Sequence, residues 1–173
     1  KEIVAGVGGR AQIVGVFKDQ EIEYVSELAM SLKLDYVQCH GKETVEYARR
    51  LPTRVIKVFE LEALDEVVAA EILAWKDDAA FLLFDRPKLL KDPEWYRRAI
   101  AELCAAGPLA MPYFFAGGLT SKNVGEVVEA LQPFAVDVAS SIESAPGQKD
   151  VGKMNDFCKA VKRDSGGVSA CAL

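Results

Sequence analysis

Six continuous apolar segments recur along this chain, each followed by a stretch of helical period, and that alternation constrains the fold more than any other feature. The segments cover 13–17, 36–41, 54–59, 79–85, 113–116 and 135–139. Residues 20–32 carry Ile22, Val25, Leu28, Ala29 and Leu32 at helical spacing. Further helices are expected over 43–51, 62–75, 92–105, 124–131 and 150–163. The helix over 92–105 opens on Asp92-Pro93-Glu94, with proline at the first helical position. Residues 1–9 read as a helix end closed by Gly6, Gly8 and Gly9. Continuous apolar strands alternating with helices mean a parallel sheet covered on its outer face. Strand-helix alternation gives the α/β class. The expectation is a single domain over 1–164 and a flexible Gly/Ser tail over 165–173.

The most informative stretch is Tyr113-Phe114-Phe115-Ala116-Gly117-Gly118-Leu119-Thr120-Ser121-Lys122-Asn123. It reads as a buried strand, a Gly-Gly turn and a helix start with Thr120 or Ser121 as N-cap. Glycines let backbone N–H groups approach a ligand closely, and a helix N-terminus favours an anion, typically phosphate. The next apolar segment ends on small residues too, in Val136-Asp137-Val138-Ala139-Ser140-Ser141. Two successive strand ends of this kind fit the phosphate site of a (β/α)8 barrel. Polar residues stand at the strand ends: His40, Asp85, Gly117-Gly118 and Ser140-Ser141. In parallel α/β folds chemistry gathers there.

The net charge of −5 argues against a nucleic-acid or acidic-membrane partner. No apolar run approaches the roughly 20 residues of a membrane span, and the opening Lys1-Glu2-Ile3-Val4-Ala5-Gly6 has no long apolar signal region. Cys39, Cys104, Cys158 and Cys171 form no C-x-x-C pair and no zinc pattern. They are expected as reduced thiols in a cytoplasmic protein, with no metal bound.

At these residues the chain resembles the phosphoribosylanthranilate isomerases of tryptophan biosynthesis. Val14-Gly15-Val16-Phe17 is similar to that family's third strand. Val37-Gln38-Cys39-His40-Gly41-Lys42-Glu43 resembles its V-Q-L-H-G-x-E fourth strand, with Cys39 in place of leucine. Val55-Ile56-Lys57 resembles the fifth strand and Leu82-Leu83-Phe84-Asp85 the L-L-x-D end of the sixth. The stretch Ala116-Gly117-Gly118-Leu119 through Asn123-Val124 resembles the seventh. Val136-Asp137-Val138-Ala139-Ser140-Ser141-Ile142-Glu143, followed by Pro146-Gly147 and Lys149-Asp150, resembles the eighth. The resemblance implies a TIM barrel of the phosphate-binding type, with six of its eight β-α units present.

It also implies roles. The family's reaction is an Amadori rearrangement of an aminoaldose to an aminoketose, without metal or redox cofactor. Asp85 would be the general acid, a partly desolvated carboxyl at the mouth of an apolar strand. His40 would contact substrate near its anthranilate end, or be a structural imidazole. Asp137 would hydrogen-bond the sugar or brace the barrel rim. Gly117, Gly118, Ser140 and Ser141 would offer backbone N–H groups to the phosphate; the Ser141 side chain, larger than the family's glycine or alanine, would add a hydroxyl donor or crowd the site. Lys57 is expected in a structural ion pair. The implied partner is a small phosphorylated sugar-anthranilate.

The sequence departs from the family in three places. Nothing matches the K-I-C-G-x-T strand whose cysteine is the general base, nor the S-P-R turn, and residue 1 falls within the helix after the second strand. Cys39 occupies an ordinary leucine position and does not replace that cysteine. Arg86-Pro87-Lys88-Leu89-Leu90-Lys91 stands where a G-G-T-G or G-G-S-G loop is expected, ahead of Trp95. Two sheet edges, 13–17 and 135–139, are expected to be open to pairing with a second copy or a complementing N-terminal segment. The alternatives are a non-catalytic partial barrel that retains a phosphate pocket, and a related enzyme such as indoleglycerol-phosphate synthase.

Overall fold

A computed structural model describes residues 2–92, 94–107, 109 and 111–164. Pro93 and the expected tail over 165–173 lie outside the described residues. The described residues divide into two compact units, one of 2–59 with 66–83 and one of 60–65 with 84–164. The sheet has strand order β1-β2-β3-β4-β5-β6.

The first unit opens with helix α1 (Glu2–Val7) and strand β1 (Val14–Phe17). Helix α2 (Ile22–Leu32) buries Ile22, Val25 and Ala29 along one face. It ends at Lys33, in the left-handed region at φ 52°, and Leu34 N donates to Ala29 O at 2.9 Å. Strand β2 (Tyr36–Cys39) is buried at all four positions, as a strand covered on both faces must be. Helix α3 (Val45–Arg49) is capped by Thr44, whose hydroxyl accepts from Tyr47 N. Strand β3 (Arg54–Glu60) buries its five central residues. Parallel register places Phe17 beside Cys39, and Cys39 beside Lys57. Helix α4 (Glu66–Ala74) follows, beginning later than its apolar pattern suggests.

Strand β4 (Phe81–Asp85) has Phe81, Leu82, Leu83 and Phe84 buried and Asp85 half-buried. Burying side chains of that size stabilises the fold by about 1.5–3 kcal/mol each.

In the second unit, helix α5 runs Trp95–Ala106. It begins at Trp95, not at 92: Asp92 Oδ1 accepts from Glu94 N, and Trp95 N donates to Asp92 O. Trp95 is 2% exposed, stacks on Phe115 at 5.6 Å between ring centroids, and donates from Nε1 to Leu61 O at 2.7 Å. Strand β5 (Tyr113–Phe115) pairs in parallel with β6 (Ala135–Val136), Phe115 facing Val136. Between them helix α6 (Val124–Leu131) buries Val124, Val127 and Val128. Its N-cap is Asn123 rather than Thr120 or Ser121. Asn123 Oδ1 accepts from Thr120 N at 2.7 Å, and the Thr120 hydroxyl accepts from Lys122 N, so these side chains close a turn that leads into the helix.

Strand β6 stops three residues short of its expected end. A 3₁₀ turn at Ser140–Ile142 follows, then an antiparallel hairpin of β7 (Glu143–Ala145) and β8 (Gln148–Lys149). Helix α7 (Val151–Asp164) completes the described chain.

Candidate active site

In the first unit the polar groups gather where β1, β2 and β3 end. His40 follows β2 directly, and its N–H donates to Phe17 O at 2.8 Å. Its Nδ1 lies 3.4 Å from Gln38 Nε2. Behind it stands a buried ion pair. Lys57, 6% exposed, donates from Nζ to Gly41 O at 2.6 Å and to Glu43 Oε2 at 3.3 Å. The same ammonium sits 5.3 Å from the centre of the Trp75 ring. Glu43 accepts in addition from Asp19 N at 2.7 Å and Gly41 N at 2.9 Å. Asp19 Oδ1 in turn accepts from Lys42 N at 2.6 Å. One buried carboxylate thus holds the loops after β1 and β2, and with them the backbone beside His40.

The ion pair expected of Lys57 is present. Asp19 carries no signal of its bond to Lys42 N in the sequence, and the partner Glu43 carries one at most. The only available signal for Glu43 was its place at the end of the Val37–Glu43 motif. Cys39 is fully buried, and burial, aided by the Glu43 carboxylate, pushes its thiol up to about 12. That thiol does not ionise near neutrality.

In the second unit Asp85 ends β4 half-buried. Its main-chain oxygen accepts from Leu61 N at 2.9 Å, and its Oδ1 accepts from Arg86 N at 2.7 Å. Ala116 N donates to Phe84 O, which sets the Gly117-Gly118 turn beside this strand end. Gly117 and Gly118 adopt φ 91° and 77°. A Cβ on Gly117 would lie 2.6 Å from Arg86 N, 2.7 Å from Arg86 Cβ and 2.8 Å from Trp95 Cζ3, so only glycine fits.

Asp137 leaves β6 half-buried, its N–H donating to Phe115 O at 2.9 Å. Ser140 and Ser141 begin the 3₁₀ turn. The Ser141 hydroxyl donates to Leu119 O, joining the loop after β6 to the loop after β5. That hydrogen bond ties the Ser141 side chain to the backbone of the neighbouring loop. Lys149 Nζ bonds Ala139 O at 2.8 Å and Glu143 Oε1 at 2.7 Å, and fastens the hairpin under the same loop. This contact holds Glu143 below the usual carboxylate range.

Among the described residues no three His, Cys, Asp or Glu side chains cluster as a metal site would require, and no helix is long and apolar enough to cross a membrane.

The family described as "PRAI: N-(5'phosphoribosyl)anthranilate (PRA) isomerase" matches residues 2–160. The chain belongs to this family. It is 36% identical over 171 residues to the N-(5'-phosphoribosyl)anthranilate isomerase of Geobacter metallireducens, covering 92% of this chain and 77% of that protein. Its fold is similar to the crystal structure of phosphoribosyl anthranilate isomerase from Thermus thermophilus, with a TM-score of 0.73 and 30% identity over 94% of this chain and 78% of that one. It is similar also, at a TM-score of 0.73 and 27% identity over 94% and 77%, to phosphoribosyl anthranilate isomerase in complex with reduced 1-(o-carboxyphenylamino)-1-deoxyribulose 5-phosphate. The fold is therefore α/β, as the strand-helix rhythm indicated, and of the TIM-barrel type, as the family resemblance implied.

Proposed function

We propose that the protein catalyses the Amadori rearrangement of N-(5-phosphoribosyl)anthranilate to 1-(2-carboxyphenylamino)-1-deoxyribulose 5-phosphate in tryptophan biosynthesis. The observation that carries this reading is Asp85: a half-buried carboxylate at the carboxyl end of a buried strand, one residue from the backbone that packs on the Gly117-Gly118 turn.

The reaction needs two proton transfers. Asp85 gives a proton to the ribose ring oxygen, and the ring opens to a Schiff base. A base then removes the C2 proton, and the resulting enolamine tautomerises to the ketone. C2 is oxidised as C1 is reduced, so the electrons stay within the substrate and the reaction is an intramolecular oxidoreduction.

Backbone N–H groups of Gly117, Gly118, Ser140 and Ser141 receive the phosphate. His40 faces the anthranilate end and Asp137 the sugar hydroxyls. The buried Lys57–Glu43 pair positions the His40 loop and takes no part in proton transfer. No residue of this sequence matches the cysteine base that the family resemblance implies, and the buried Cys39 thiol does not suit that role. A cytoplasmic location accords with the free thiols of Cys39, Cys104 and Cys158.

The test is turnover of freshly generated phosphoribosylanthranilate, followed by its fluorescence. Turnover supports the isomerase. No turnover, with the reduced product analogue still bound, favours a binding-only barrel.

A further inference from the structure

We propose that the Arg86 guanidinium, at the head of the segment that stands where the family resemblance calls for a glycine-rich loop, is a side-chain clamp for the substrate's phosphate. The inference rests on the isomerase reading and concerns how its anionic end is held.

Arg86 is the first residue after β4 and is half-buried. Its side chain lies along the Gly-Gly turn. The Cζ, Nη1 and Nη2 atoms stand 3.5, 3.5 and 3.6 Å from the point where a Cβ on Gly118 would be, so the guanidinium rests on bare backbone. One of its donors is engaged, Nη1 giving a hydrogen bond to Asp92 O at 3.3 Å. The nearby Asp92 carboxylate is committed to Arg98 at 3.0 Å and to Glu94 N at 2.9 Å. Among the described residues no carboxylate forms an ion pair with the Arg86 guanidinium, while the adjacent Asp85 Oδ1 accepts from the Arg86 main-chain N–H at 2.7 Å.

A guanidinium carries five N–H donors in a planar fork that fits two oxygens of one phosphate. Held part-way out of water without an anion, it is poised for one. Gly117 and Gly118, both at positive φ and without side chains, leave the guanidinium beside the turn whose backbone N–H groups are the proposed phosphate donors. Arg86 adds a full positive charge to that end of the site.

The experiment is calorimetric titration of the protein, of Arg86→Gln and of Arg86→Lys. The ligands are the reduced deoxyribulose phosphate analogue, the same analogue lacking its phosphate, and inorganic phosphate. Thermal melting of each variant checks the fold. Arg86→Gln is expected to weaken the phosphorylated analogue about ten- to a hundredfold, the loss typical of hydrogen bonds to a charged group. Inorganic phosphate weakens in parallel, while affinity for the dephosphorylated analogue changes by less than about twofold. Arg86→Lys recovers part of the loss, a point charge replacing a fork.

Equal weakening of both analogues assigns Arg86 a structural role and overturns the proposal. Unchanged binding by Arg86→Gln overturns it too, and leaves the isomerase reading standing. If the unaltered protein binds neither analogue, the isomerase reading falls and the clamp with it.

Discussion

At the scale of single residues, the chemistry of this chain is set by which polar groups are buried with partners. Glu43 and Lys57 are 7% and 6% exposed, so their pairing is not a surface ornament. Removing one partner of a buried pair strands the other charge, and Lys57→Met is expected to cost about 3–5 kcal/mol in urea unfolding. Glu43→Leu strands Lys57 Nζ together with the N–H groups of Asp19 and Gly41. Adding Lys57→Met to that variant should then cost little more, which a double-mutant cycle reads directly. Cys39 makes a second residue-scale case. Its folded-state value near 12 lies above the ordinary thiol value of 9.0. Between those two values the folded chain keeps a proton that the unfolded chain releases, so stability is intact below pH 9.0 and falls as pH rises toward 12. Thiol labelling of the native protein at pH 8 should accordingly modify exposed Cys104 and spare Cys39. Rapid labelling of Cys39 without unfolding would contradict its burial.

The elements follow from the sequence where burial alone decides them. The apolar runs give β1 through β5 within a residue or two: β2, β3 and β4 are buried along most of their length, and β1 keeps the same apolar run although Val16 is exposed. Asp85, Gly117 and Gly118 were legible for the same reason: they interrupt such runs at their carboxyl ends. Where local polar bonds decide, the pattern misleads. Asp92 holds back the start of α5 with an Asx turn, and Asn123 takes the cap that Thr120 and Ser121 promise by type. The chain leaves the ladder after Val136 to make the 3₁₀ turn and the hairpin, which have no apolar period to announce them. The posture of Arg86 over Gly118 was equally hidden, since it depends on a loop packing back on another loop. The Gly-Gly turn yields a graded prediction. Gly117→Ala meets both a positive φ and three atoms inside contact distance, and should lower stability by about 2–5 kcal/mol. Gly118→Ala meets the φ of 77° but only ordinary contacts, and should cost about 1–2 kcal/mol in thermal melting. Similar losses at both positions would mean that the packing of Arg86 and Trp95 on Gly117 is looser than described.

At the scale of the whole molecule, family membership rests on a match over residues 2–160, and the chain spans 77% of its Geobacter relative. Each of the two compact units carries its own part of the chemistry. The first holds His40 over a buried ion pair; the second holds Asp85, the Gly-Gly turn and Arg86. The proposed reaction turns on Asp85 delivering the proton that opens the sugar ring. The decisive experiment compares turnover of freshly generated phosphoribosylanthranilate by the protein and by Asp85→Asn, with affinity for the reduced product analogue measured on both. Asp85→Asn is expected to lower kcat about 10²- to 10⁴-fold, the usual worth of a positioned general acid, with the analogue bound within about tenfold of the original affinity. Near-normal turnover by Asp85→Asn with binding unchanged would contradict it.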